Sequence, residues 1–589
     1  MHIDYAYTLD QTLATTGYFS CQPPKDLTLD AALDALEATP NDSFLHQHCL
    51  RSLVKEAPEH LTELARAAYD STNDNFVRPA TASLLCECAL LAPQLAGACC
   101  VDFPADARER LATHSPLIYL RAAGLPDHAD SSWWSETFRE NICNHHPLPH
   151  ASAWEREPLF PGEDITRAAD LMEAHSDALR QTHATLAAQQ WQQDETVPPQ
   201  DVALAALDTL MEAGVGLGQE MRHESSLAPI ALLRAWEVDL SVQEGALSHT
   251  LRGETRAWGR GLSLAQARAS CAMEIAERAS TYVSVASDSS GQAHVTNRKH
   301  NMPLVRATHA ELLAQGRAAL NPNTLLLEAP LTPAMLGQTP LHWVEASDPQ
   351  GNIVLVPAQA VFLFCNLDEP DLFLAGGSTG LASGTSLEQA KVAALCEIME
   401  RDAEATTPFH RRRCFALKSR DERLQSLLDD YAARGIVVQF QNLVTELGLP
   451  VYQCFVTGRD GQLARATAGK LNGAAAALAA LTETPWPYAY VRPAPYGTPS
   501  GPGLAGEPWR YLEDLPDYSL PSHAANLQLL ETTLAAHGRT PLYVKLTRAD
   551  LRVPVVRAII PGLELTAEWD TFSRPSLRLF ARAYMDDQY

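Results

Sequence analysis

From Thr28 to about Gly124 apolar residues recur at three- and four-residue spacing, as in Asp30–Glu37, Leu61–Tyr69 and Ser83–Leu91. That period predicts amphipathic helices, with polar or proline breaks such as Thr39–Asp42 between them. Stacked helical hairpins are the expected arrangement, while residues 1–25 read as irregular. Glu163–Gln193 reads as one long helix with a polar face, and Asp194–Gln200, with its two prolines, marks a domain boundary. A further helix runs from Ala203 to Ala213. Beyond it the pattern changes. Asn352–Phe364, broken at Pro357, Gly435–Phe440 and Leu449–Val456 are short apolar runs of strand type, which predicts alternating α and β structure around one mixed sheet. The expected protein is therefore multidomain: an all-α helical N-terminal domain (1–195), then an α/β mixed-sheet domain (196–589). A flexible insertion rich in proline, glycine and aromatics occupies 485–510.

One stretch occurs twice. Residues 261–278 and 384–401 align without a gap and agree at Gly261/Gly384, Ser263/Ser386, Leu264/Leu387, Gln266/Gln389, Ala267/Ala390, Glu274/Glu397, Ile275/Ile398, Glu277/Glu400 and Arg278/Arg401. Such internal self-similarity points to a duplication, with a pseudo-twofold relation between the copies. Each copy reads as a glycine turn, a capping box of serine and glutamine, and an alanine-rich helix of about four to five turns. Glutamates three apart share a helical face, with an arginine one turn beyond the first. A solvated face with an intrahelical ion pair would explain one copy, but gives no reason to repeat the charged end. Were the two helices to face each other, four carboxylates would converge, a cluster that must protonate or take up cations. All-oxygen ligands favour hard ions such as magnesium, which bridges to phosphates. Arginine forks match phosphate oxygens.

The sequence resembles the YcaO family at these residues. The resemblance is carried by Gly259–Arg278, by Ser378–Gly384 leading to Glu400, Arg401 and Asp402, and by Ala477–Glu483. It runs on more weakly through Thr540–Val544 and Val553–Gly562, so that it spans about residues 200–575. It implies an ATP site in which Glu274, Glu277, Glu397, Glu400 and Glu483 hold magnesium and Arg278, Ser383, Thr385, Gln389 and Arg401 contact ATP. It also implies ATP- and Mg-dependent activation of a peptide backbone amide, giving azolines, thioamides or related products in peptide modification (RiPP biosynthesis). The expected partners are a peptide or protein substrate and a TfuA-like or other accessory protein, with a homodimer left open. Thr385 and Gln389 stand where the family has Asn and an acid, and Ala479 where it has Arg. These departures support an alternative: a degenerate accessory or scaffold protein that binds a partner without turning over ATP. The terminal Ala583–Tyr589 lacks the Pro-x-Pro-x-Pro tail of azoline-forming members, which argues against azoline formation and leaves thioamidation, another amide chemistry or an accessory role.

Composition narrows the field. A net charge of −26 over 589 residues disfavours nucleic-acid binding, which needs phosphate neutralisation. Met1–Tyr5 has no basic n-region and apolar runs are short, so neither secretion nor a membrane span is expected and the cytoplasm is. The twelve cysteines lie mostly in apolar contexts, as core thiols of a reducing compartment do. Cys143, His145, His146 and His150 form the most metal-like cluster outside the duplicated helices. Their spacing matches no zinc pattern, and they read as structural or surface residues, as do His46, His48 and Cys49.

Overall fold

The computed structural model describes residues 1–10, 18–223, 226–297, 300–374, 376–457, 463–485, 508–564 and 569–587. Most of the expected 485–510 insertion lies outside the described residues.

The helical stretch is present. Leu29–Ala38, Ser43–Leu53, Pro58–Ala68 and Pro79–Leu91 form successive helices. The first two are capped by Thr28 and Asp42, whose side chains accept from Ala31 N–H and Leu45 N–H. The last is buried on nearly every side, as an innermost helix must be.

The N-terminal region is not all-α. Ile3–Asp10 and Tyr18–Gln22 are paired strands, and the first lies parallel to Leu247–Gly261. Ile3, Tyr5 and Tyr7 alternate inward and are buried, the two-residue period of a half-buried strand. The expected long helix at 163–193 is likewise two helices, Gly162–His175 and Ala178–Ala187.

The strands sort into three larger sheets instead of one. The largest has eight strands around a long hairpin, Ile230–Glu244 with Leu247–Gly261. Gly245 turns that hairpin at φ +57°, a conformation that costs glycine little. Trp236, Val238, Leu240 and Val242 form its buried face. The second sheet carries Leu341–Ser347, Leu542–Lys545, Val555–Ile559 and the short strand Leu381–Ser383. The third contains Val451–Thr457 and Leu463–Gly469, paired antiparallel, with Gly473–Glu483 the helix packed against them. Parallel and antiparallel pairs mix in two of these sheets.

Contacts cross residue 195 in both directions. One apolar core runs from Tyr5, Leu33 and Leu36 to Trp236, Leu251 and Trp343. Another joins Trp134, Phe138 and Ile165 to Leu579 and Phe580 of the C-terminal helix Leu577–Asp587. A buried ionic network fixes the same helix. Arg578 reaches Asp402 at 2.5 Å and Glu446 at 2.6 Å, and Arg582 also pairs with Glu446. Among the described residues no helix is long and apolar enough to cross a membrane.

Candidate functional site

Both copies of the duplicated stretch form the expected element. Leu264–Thr281 and Leu387–Thr406 are helices whose N-caps, Ser263 and Ser386, accept from Gln266 N–H and Gln389 N–H. Each glutamine reaches back one residue further than a capping box does. Gln266 Oε1 accepts from Leu262 N–H at 3.1 Å, and Gln389 Oε1 from Thr385 N–H at 2.6 Å. The two helices leave different sheets, the first from the long hairpin and the second from Leu381–Ser383. Glycine is needed at the first departure. A Cβ on Gly259 would stand 1.9 Å from Ala267 O, so only a bare backbone lets the strand pass this close to the helix.

The first helix meets the short strand that leads into the second. Glu277 of the first accepts from Ser383 N–H at 3.1 Å, and the Ser383 hydroxyl donates to Met273 O at 3.2 Å. Both bonds run from the stretch ahead of the second helix to the first. The other glutamates have their own backbone donors. Glu274 accepts from Trp258 N–H at 2.9 Å, Glu397 from Gly380 N–H at 3.2 Å and Glu400 from Gly469 N–H at 2.8 Å. Glu483, the last residue of its helix, lies within electrostatic reach of both Glu274 and Glu400, and Glu277 within reach of Glu397. All five sequence-predicted glutamates thus border one recess. Side-chain exposures of 27% for Glu274, 15% for Glu277 and 12% for Glu400 place them on its walls, open to solvent on one side and enclosed on the others.

The arginines follow. Arg278 Nε stands 3.9 Å from Glu274 and 3.8 Å from Glu277, and Arg401 Nη2 stands 3.7 Å from Glu400. These are ion-pair separations, too long for good hydrogen bonds. Burial dominates the titration, opposed in each glutamate by a neighbouring arginine. Burial first, then Glu397 and Glu274, pushes Glu277 up to about 8 against the pull of Arg278. Burial first, then Glu483 and Glu397, does the same to Glu400, also to about 8, against Arg401. Glu274 and Glu397 are raised too, with burial the largest cause.

Of the expected ATP contacts, Arg278, Ser383 and Arg401 sit with the glutamates. Thr385 and Gln389 satisfy each other, since Gln389 Oε1 accepts both Thr385 N–H and its hydroxyl. Two arginines were not among the predicted site residues. Arg557 lies within reach of Glu397 and Glu277; it donates to Gly377 O at 2.9 Å, yet its buried Nε and Nη1 have no partner among the described residues. Burial lowers it to about 10. Arg260 lies near Glu274, and its Nε is likewise buried without a partner. The signal for Arg557 was present: a lone cation within the apolar run Val553–Ile560. A buried charge left with unused donors is costly unless something pairs with it.

The donor set fits magnesium and a phosphate anion. Glu274, Glu277, Glu397 and Glu400 are each anchored separately on a backbone N–H, and among the described residues no three His, Cys, Asp or Glu side chains are gathered as a ready cage for an ion. Magnesium takes one or two carboxylates together with phosphates and waters in preference to an all-protein cage. Unpartnered guanidinium N–H groups beside the acids complement the phosphate.

The histidine cluster is structural. His145 stacks on Phe409 with ring centroids 3.9 Å apart, and His146 pairs with Glu140 at 3.0 Å.

An uncharacterized protein of Methanothermobacter thermautotrophicus is 28% identical over 401 residues, which covers 63% of this chain and 95% of the relative. A heterocyclase in complex with substrate and cofactor aligns at a TM-score of 0.48 and 17% identity, covering 66% of this chain and 56% of its own, so the chain spans little over half of that protein. YcaO from Methanopyrus kandleri, bound with AMPPCP and Mg2+, aligns at a TM-score of 0.41 and 20% identity, covering 62% of this chain and 91% of its own. The model of the family described as YcaO cyclodehydratase, ATP- and Mg2+-binding, matches residues 258–564, slightly more than half of the sequence and all five glutamates, and the chain belongs to that family.

Proposed function

We propose that this protein is an enzyme that uses ATP and Mg2+ to activate a backbone amide of a peptide or protein. Glu274, Glu277, Glu397, Glu400 and Glu483 are the residues that would hold magnesium, and Arg260, Arg278, Arg401 and Arg557 those that would neutralise and orient phosphate. ATP supplies the phosphoryl group that turns an amide oxygen into a leaving group. The chain's own contribution is positional and electrostatic, as is usual in phosphoryl transfer: separately anchored carboxylates, fixed guanidinium groups and a recess that limits water. The observation that carries this reading is the convergence of five glutamates and four arginines from separate parts of the sequence, two of the arginines with unused donors.

A thioamide-type product, with sulfide as the nucleophile, is the version we favour over an azoline. The division of labour follows the sequence boundary, with residues 1–195 recruiting substrate or an accessory protein and 196–589 carrying the chemistry.

One observation favours the scaffold alternative: Thr385 and Gln389 are used up in capping their own helix. Calorimetry with ATP and Mg2+ tests both readings. The enzyme reading expects binding that requires Mg2+ and is lost in Glu277→Gln and Glu400→Gln, by roughly ten- to a hundredfold each at about 1.5–3 kcal/mol per charged contact. Unchanged affinity in both variants would sink the site assignment. Binding without ADP release on adding candidate substrate peptides would favour the scaffold.

A further inference from the structure

A chain of charged contacts joins the second acidic helix to an N-terminal helix, and the site as described makes no use of it. Glu404, one turn beyond Glu400, accepts from Arg401 Nη1 on Oε2 at 3.0 Å and from Arg465 Nη1 on Oε1 at 3.1 Å. Arg465 Nη2 in turn lies 3.1 Å from Cys143 Sγ, near the end of the helix His128–Asn144. Arg465 precedes Gly469 by four residues on the strand Leu463–Gly469, and residues two and four apart on a strand share a face. One face of that strand therefore holds Glu400 through Gly469 N–H and Glu404 through Arg465.

The helix end is fixed independently. Asn141 Oδ1 accepts from Phe409 N–H at 2.8 Å, and its Nδ2 donates to Phe409 O at 3.2 Å. His145, in the left-handed region at φ 58°, stacks on the Phe409 ring and sets Nε2 3.1 Å from Gln453 Oε1. Cys143 is thus delivered to Arg465 by a clamped element.

Glu404 holds Arg401 by a charge-assisted hydrogen bond, whereas Glu400, at 3.7 Å, does not. With two guanidiniums on the one Glu404 carboxylate, Arg401 is oriented without a direct hydrogen bond to Glu400. We infer that Glu404 and Arg465 are positioning residues for the nucleotide site, and that the N-terminal helical region, through Asn141 and Cys143, helps set the orientation of Arg401. This inference rests on reading the recess as an ATP and Mg2+ site. Without Glu404, Arg401 turns to Glu400 and competes there with the cation. Without Arg465, Glu404 pairs one-to-one with Arg401 and cancels its charge toward phosphate.

The test uses the full chain, calorimetry with ATP and excess Mg2+, and thermal melting of each variant. Glu404→Gln should weaken ATP binding by roughly tenfold, the weight of one charged hydrogen bond, with the melting temperature nearly unchanged. Arg465→Ala should weaken it similarly, and Arg465→Lys should recover most of the loss because the charge returns. If the wild type binds ATP, Glu277→Gln does not, and both Glu404→Gln and Arg465→Ala bind like the wild type, the inference is overturned while the site reading stands. Losses that Arg465→Lys fails to recover, accompanied by a large drop in melting temperature, would reduce the network to a structural role and overturn it too. A wild type that binds no ATP removes the underlying reading itself.

Discussion

His342 provides a pH-dependent test of how the two largest sheets are joined. It lies on the strand Leu341–Ser347 and is wholly buried, with Nδ1 2.7 Å from Glu369 Oε2 and Nε2 3.1 Å from Glu244 Oε1. Glu244 ends the first strand of the long hairpin, so one imidazole ties the eight-stranded sheet to the six-stranded one. Burial alone would depress its pKa, but Glu369 and Glu244 outweigh it and raise the imidazolium to about 9 from an ordinary 6.5. At 1.36 kcal/mol per unit, that is about 3 kcal/mol favouring the folded state. A raised folded-state pKa means the unfolded chain gives up its proton first. The contribution is therefore complete below pH 6.5 and lost as pH rises through about 9. His342→Gln should cost about 3 kcal/mol more at pH 6 than at pH 10. The assay is urea denaturation of both proteins across that range, with hydrogen exchange of the 341–347 amides as the local readout. Because only the difference between the two proteins is used, other titrating groups cancel. A difference that stays constant from pH 6 to 10 would show that the imidazole is not charged in the folded protein, and the argument for the clamp would fail.

Three other perturbations bear on the fold. Arg578→Ala leaves the buried Asp402 without its ion-pair partner, while Glu446 keeps Arg582, and should destabilise by about 3–5 kcal/mol in denaturant melts; a cost below about 1 kcal/mol would mean the network is surface-like. Gly259→Ala drives a methyl into Ala267 O, costing about 1–3 kcal/mol; since Trp258 N–H holds Glu274, ATP affinity should fall with stability, and a normal melt with normal binding would contradict the packing. Residues 196–589 expressed alone should bind a hydrophobic dye and lack a cooperative melt, because the Tyr5 and Tyr7 strand and Leu33 share one core with Trp236 and Leu251; a sharp melt from that fragment would show the two regions to be separable.

What the sequence disclosed and what it withheld follow a physical line. Helices with a strong three-to-four period were legible, as were the serine caps and the tandem acidic ends, because these are local properties. The first strand was missed although Ile3, Tyr5 and Tyr7 alternate, since eight residues at a terminus weigh little when the partner strand, here Leu247–Gly261, lies 246 positions away. The break at Ser176 and Asp177 within the expected long helix was hidden by helix-compatible residues on either side. Strand partition into three sheets depends on pairing between distant segments such as Leu381–Ser383 with Val555–Ile559, which no local period encodes.

The site divides in the same way. Four glutamates and two arginines could be named from a repeated motif, and Glu483 from the family resemblance, but what anchors them could not. Trp258, Gly380, Ser383 and Gly469 contribute only backbone N–H groups, so their identities carry no donor signature; glycine at 380 and 469 reflects crowding by Ile398 and Glu400 instead. Arg557 sits in an apolar strand where a charge is out of place, and that anomaly was readable without a partner. Glu404 and Arg465 were not readable at all, because each looks like an ordinary surface charge until Cys143 and Arg401 are brought to its two ends. Buried like charges of this kind are tolerated only where every oxygen has a donor or a cation to answer it. The fold gives Glu274, Glu277, Glu397 and Glu400 one backbone donor each from three separate parts of the sequence, which leaves their other oxygens to a cation, so a change to any one anchor should register at the others.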